Sequence, residues 1–324
     1  MKPSEGAKNY ILIGVNKSRQ SLLRTFIMAI YGGIFVGYGG LVASATSYNI
    51  EPRAIGRVMQ GFFFPIALFM IICGGGELFT GNSLLIIPLL EGYITFVDML
   101  KSLGSVYVGN AIGSLFLTVL AVYGHVFNLF ENGLANAAVD VARDKLNLSF
   151  GDSFLRGILC NILVGLAVWL AMSTKAMSGK ILAMWPPIFV FAAVGFEHCI
   201  ANFFLIPAGL IVKEEYKVTV STSGVNWGRF VYKSIVPVTL GNLVGGIVID
   251  GLGFWFLYFY LRRWEIKHQV GDLSTSKAER VIHAEDHNQP VPSFIHPIKK
   301  EENNDNKQNE GNENKEETNA VVIH

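Results

Sequence analysis

The sequence predicts an all-α membrane protein of six transmembrane helices, two of them broken into half-helices, arranged as an inverted 3+3 repeat. Three observations lead there. Stretches such as 103–124 and 157–174 hold no Asp, Glu, Lys or Arg, and soluble core helices rarely sustain such runs. Two apolar runs are interrupted by glycine and polar residues, at CGGGELFTGNSL (73–84) and GFEHCIANFF (195–204). Irregular backbone at membrane depth must be buried in protein or line a cavity, and broken helices in corresponding places point to a transporter's central site. Finally, short motifs recur in order: GIFVG (33–37) resembles NILVG (161–165), and GNAIGS (109–114) resembles GNLVGG (241–246). Three spans per half is an odd number, so the two halves must have opposite topology in one membrane.

The elements follow in order. Residues 8–22 form a short basic lead-in, expected to lie as an amphipathic helix at the interface or to present a solvated basic face. The first span, about 25–46, is rich in small glycines that let helices approach closely in lipid. A second span starts near Val58, kinks at Pro65, breaks at the glycine turn and resumes over about 83–90. The third covers about 97–123 and the fourth about 155–172. Between them, residues 125–152 read as an amphipathic helical excursion carrying Arg143 and Lys145. The fifth span runs from Ile181 to about Val194, breaks, and resumes to about Val212; the sixth covers about 232–260. Residues 1–24 are thus a lead-in, 25–262 the transport domain, and 263–324 a polar tail too poor in apolar residues to fold alone.

Composition narrows the function. Of the 324 residues 51% are hydrophobic, while the charged 16% cluster in the first 25 residues, the connectors and the tail, and the net charge of +1 offers nothing to nucleic acid. Cys73, Cys160 and Cys199 lie in apolar segments without CxxC pairing and read as packing residues. No HExxH, serine-histidine nucleophile motif or paired intramembrane aspartates appears, so no enzyme activity, metal or cofactor is expected. The N-terminus lacks the apolar core and cleavage site of a signal peptide.

The candidate chemistry sits in the breaks. His198 is the histidine placed well inside a span, and Glu197 is the carboxylate of the fifth span; ionisable groups at that depth are functional by default. Adjacent residues point apart on a helix, so Glu197 is expected to brace the broken backbone while His198 faces the pathway. Thr80 in the first break is expected to meet His198 near the midplane. Each half-helix aims its positive N-terminal end there, which favours an anion and holds the imidazole neutral. Leu78, Phe79, Phe64, Leu68 and Phe191 are expected to form apolar constrictions around this centre, and Gly75 and Gly81 to shape the first turn.

The stretches GGGELFTGN, GILCNILVGLA, GFEHCIANFFLIPAG and GNLVGG closely resemble those of the formate/nitrite transporters, over about residues 20–262. The resemblance implies an aquaporin-like fold, a homopentamer with a pore in each protomer, and both termini in the cytoplasm of a plasma-membrane protein. It places the family's central pair at Thr80 and His198 and its constrictions at Phe64, Leu68, Leu78, Val164 and Phe191. From their places in the fourth span and the second break, Asn161 and Asn202 are also expected along the pathway. Lys145 matches a vestibule lysine that draws anions in. Gly165 departs from the pattern, standing where the family usually has a cysteine.

The function expected is proton-coupled transport of small monovalent weak-acid anions, formate first, with lactate, acetate and nitrite behind; protons and lipid are the other partners. A bare charge at the bilayer centre costs from about 2.5 to more than 10 kcal/mol. Protonating a carboxylate of pKa about 4 at neutral pH costs roughly 4 kcal/mol, so an apolar pore passes the acid more easily than the ion. The competing reading is an uncoupled anion or neutral-solute channel in which His198 only shapes the filter. A chain shortened to end at Lys267 is expected to insert, assemble and transport like the full chain, as checked by particle size in detergent and flux in proteoliposomes.

Overall fold

The computed structural model describes residues 3–271 and is helical throughout. Among the described residues, six helices are long and apolar enough to cross a membrane: α2 (Leu22–Ser47), α3 (Arg53–Gly74), α5 (Phe96–Tyr123), α7 (Phe150–Met172), α8 (Met177–Val194) and α10 (Trp227–Glu265). Two shorter helices complete the broken spans, α4 (Phe79–Leu90) after α3 and α9 (Cys199–Glu215) after α8. The expected six spans and both breaks are therefore present, with ends within a few residues of the sequence reading. The tail expected to be disordered lies, from residue 272 onward, outside the described residues.

The lead-in differs from its expectation. It forms α1 (Pro3–Arg19), but Ala7, Tyr10, Ile11 and Val15 are buried in the core. Their spacing of three to four residues makes one apolar face. That face packs beside α7, where Tyr10 and Trp169 rings lie 6.0 Å apart and Asn9 Nδ2 donates to Met172 O at 2.8 Å. The connector also packs inward: α6 (Gly133–Leu146) buries Leu134, Ala135, Val139, Ala142 and Leu146, and its last turn delivers Lys145 to the second break.

Small residues set the closest helix crossing. At Gly33 an added Cβ would overlap the Asn110 carbonyl, and at Gly113 it would overlap the Ile30 carbonyl; α2 and α5 thus meet backbone to backbone, with Ser114 Oγ donating to Gly33 O at 3.1 Å. Lipid supplies no hydrophobic drive for helix association, so this contact rests on packing and on such bonds. The final helix is irregular, with π-helical turns at Phe230–Ile235, Val244–Gly251 and Phe256–Tyr260. Outward-facing Phe116, Leu120, Val248 and Leu257 are exposed, as lipid-facing or subunit-facing positions require.

Replacing Gly113 with valine is expected to destabilise the protein by about 1–3 kcal/mol, the usual cost of overpacking. The measurement is the midpoint of thermal unfolding in detergent, with the same change at exposed Gly104, where an added Cβ meets nothing within 4 Å, as the mild control.

Candidate functional site

Each broken helix ends on a left-handed glycine. Gly75 has φ 84° after α3, and Gly195 has φ 82° after α8, a conformation that glycine adopts without a Cβ penalty. Gly75 and Gly76 both donate to Ile71 O, at 3.1 and 2.8 Å, and Gly195 and Phe196 both donate to Phe191 O at 3.0 Å. A Cβ at Gly75 would meet nothing within 4 Å, so the need for glycine there is one of backbone angle, not crowding.

The freed backbone beyond each turn is tied down by a buried asparagine. Asn110 Oδ1 accepts from Phe79 N at 2.9 Å, while its Nδ2 donates to Glu77 O at 2.8 Å and Ala29 O at 2.7 Å. Asn242 does the same in the second break: its Oδ1 accepts from Cys199 N at 2.9 Å, and its Nδ2 donates to Glu197 O at 3.0 Å and Gly157 O at 2.8 Å. Both asparagines have 0% exposure, so the bonds replace those that water cannot supply.

A carboxylate in each break is neutralised in the same manner. Glu77 pairs with Lys17 at 2.7 Å and accepts from Asn82 at 2.9 Å. Glu197 pairs with Lys145 at 2.9 Å and accepts from Asn202 at 2.7 Å, and Asn202 reaches Ser234 at 2.9 Å. Glu197 thus ties α6 and α9 together at the second break. Lys145 does line the vestibule, but its ammonium serves this buried carboxylate.

His198 caps α9. Its Nδ1 accepts from Ala201 N at 3.0 Å, and its Nε2 lies 2.9 Å from Thr80 Oγ1. A ring nitrogen that accepts an N–H carries no hydrogen, so the neutral imidazole holds its hydrogen on Nε2 and donates it to Thr80. The threonine hydroxyl hydrogen is then left to donate elsewhere. Both residues are buried, at 4% and 1% exposure.

Two cavities meet at this histidine. A vestibule of about 770 Å³ reaches it past Phe64 and Phe191, whose rings stand edge to face 5.1 Å apart. The vestibule wall carries Arg53, Arg57, Arg143, Lys145 and Arg156 against Glu51, Asp140, Asp144 and Glu197. Beyond the aromatic pair lies a narrow apolar void of about 20 Å³, lined by Leu68, Leu78, Val164, Ile188 and His198 among others. Of the positions expected along the pathway, Phe64, Leu68, Leu78, Val164, Phe191 and His198 border these spaces. Phe79 instead meets Tyr107 edge to face at 4.8 Å, and Gly81 packs beside Val168. Asn161 and Asn202 spend their amide hydrogens on bracing: Asn161 Nδ2 donates to Asn242 O at 2.6 Å and reaches Thr80 O and Ser83 Oγ at 3.4 Å.

Sequence reasoning passed over three features. Asn110 and Asn242 were visible in the repeated GN motifs, but their bracing role needed the fold. Lys17 reaches Glu77 from a helix whose docking was not foreseen. Asp250, the one charged residue between Lys233 and Arg262, is 5% exposed and packs against Gly165.

The family model for formate/nitrite transporters matches residues 4–256. The chain belongs to the formate/nitrite transporter family. Among its relatives, the formate channel BtFdhC of Bacillus thuringiensis is 33% identical, over 79% of this chain and 95% of that protein. The formate channel FocA of Escherichia coli K12 is 29% identical, over 79% of this chain and 94% of that protein. Among solved structures, a pentameric formate channel with formate bound matches with a TM-score of 0.67 at 29% identity, covering 73% of this chain and 97% of that one.

The bracing pairs give a direct test. Lys145→Met leaves Glu197 buried without its cation, at an expected cost of about 3–5 kcal/mol, and adding Glu197→Gln recovers most of it. Thermal unfolding of the single and double variants measures both effects.

Proposed function

We propose that this protein carries small monovalent weak-acid anions across the membrane together with a proton, with formate as the first substrate and lactate, acetate and nitrite as further ones. The observation that carries the reading is that His198, which borders both the charged vestibule and the apolar void, holds its Nε2 2.9 Å from Thr80 Oγ1. The formate channels among its relatives support the substrate class. The matching bonds of the two breaks support an inverted 3+3 repeat, and the pentameric relative supports an aquaporin-like homopentamer with one pore per protomer. Residues 25–262 form the transport domain of a plasma-membrane protein with both termini cytoplasmic.

The proposed cycle follows from the hydrogen bonds. Vestibule arginines gather the anion, since Lys145 and Arg143 are engaged by Glu197 and Asp140. The anion at the constriction accepts the free hydrogen of the Thr80 hydroxyl. A proton from vestibule water adds to His198 Nδ1 as the Ala201 bond opens; that bond is worth about 1 kcal/mol, and the anion offsets the buried positive charge. Nε2 passes its hydrogen to Thr80 as Thr80 passes its own to the carboxylate. Formate and one proton have become formic acid, and the imidazole is neutral again with its hydrogen on Nδ1. Exchange with water restores the resting tautomer. The neutral acid then crosses the apolar void, where a bare ion meets the larger cost.

In proteoliposomes held without a membrane potential, an inward proton gradient is expected to drive formate accumulation. His198→Ala and His198→Phe are expected to remove that coupling while the oligomer stays intact by size. Formate entry in wild type with a matching current and no proton movement would favour the uncoupled channel instead.

A further inference from the structure

The seam between α7 and α10 holds a carboxyl group that the transport cycle does not use. Along this seam Gly246 sits against Ser83 Oγ and Asn161 Nδ2, with no room for a Cβ. About one turn further, Asp250 occupies the space that a side chain at Gly165 would take. One more turn on, Trp169 and Phe254 stack at 4.5 Å and close the column. The departure at Gly165 thus makes room for an acid.

Among the described residues, two buried oxygens in this seam have no hydrogen-bond partner, Asp250 Oδ2 and Asn161 Oδ1. The 2.6 Å bond from Asn161 Nδ2 to a carbonyl fixes which end of that amide is the oxygen. Both orphans are acceptors, and an unmet buried acceptor is costly. No charge among the described residues faces them. The surrounding elements carry none on α7 between Arg156 and Met172, on α4 at all, or on α10 between Lys233 and Arg262 apart from Asp250 itself. Their titratable groups along this seam are the Cys160 thiol and the Tyr258 hydroxyl. A single proton on Asp250 turns one of the two acceptors into a donor and serves both.

We propose that Asp250 is a proton-binding site that holds its proton at neutral pH and donates it to Asn161 Oδ1, directly or through one water. Asn161 Nδ2 and Ser83 Oγ both reach the Thr80 carbonyl, at 3.4 and 2.6 Å, so the acid positions the half-helix that carries Thr80. Val164, beside Gly165 in sequence, lines the apolar void. Loss of the proton at alkaline pH places an uncompensated negative charge behind that wall and repels the anion. This slows flux by about tenfold, the scale of repulsion between unit charges two helix turns apart at an effective dielectric of about 20.

Infrared difference spectra of the full chain in lipid, with isotope-labelled aspartate, read the site directly. Near neutral pH they are expected to show the carbonyl band of a protonated acid, absent from Asp250→Asn and lost from wild type as pH rises. Its absence from wild type overturns the proposal, and this readout is independent of the transport function proposed above. In flux assays, which do rest on that function, Asp250→Asn mimics the protonated acid. It is expected to match wild type at mildly acidic pH and to decline less steeply than wild type at alkaline pH, where the decline that remains is the falling proton supply to His198. Identical alkaline declines in both proteins overturn the role in transport. Should Asp250→Asn fail to assemble, the wild-type spectra alone decide.

Discussion

The structure depends on satisfying backbone groups where two helices stop inside a membrane. Water is absent there, so each N–H and C=O released by a break must find a partner within the protein. Asn110 and Asn242 answer this in the same way, each gripping an N–H on one side of a turn and carbonyls on two elements. An amide is the side chain that can accept and donate at once. Without these two residues the turns after Gly75 and Gly195 would expose unmet polar backbone, and the half-helices would have no fixed direction.

The carboxylates extend the same logic outward. Glu77 and Glu197 are each 3% exposed, and a buried charge is tolerable only when paired and hydrogen-bonded. Their cations come from elements outside the spans, Lys17 from α1 and Lys145 from α6. These pairs therefore fasten the lead-in and the connector to the breaks. The vestibule is shaped partly by this fastening, since Lys145 stands in its wall with its charge already answered.

With the breaks held, the His198 and Thr80 side chains are placed with little freedom. The cap bond to Ala201 sets the tautomer and orientation of His198, and the Thr80 contact follows from α4 and α9 starting side by side. Asp250 belongs to a different class of group, a buried acid with no cation nearby. It sits where Gly165 leaves it space, about one turn along the seam from the Asn161 and Ser83 side chains that reach the Thr80 carbonyl.

The sequence by itself determined the spans and the two breaks, and it singled out Thr80 and His198 within them. Charge-free runs of membrane length, triple glycine at 74–76 and an ionisable residue deep in an apolar run are local signals, each with one physical reading in lipid. The motifs around Thr80 and His198 carried the family as well. What only the tertiary structure decided was which polar groups meet. The docking of α1 depended on a face that reads equally well as interfacial, because its basic residues mask the apolar spacing of Ala7, Tyr10 and Ile11. Asn161 and Asn202 read as pathway residues because a buried amide looks the same in sequence whether it faces a cavity or a carbonyl. Direction is set by the crossing of helices far apart in the chain, as when Asp250 on α10 fills the gap left by Gly165 on α7, and no local pattern records it.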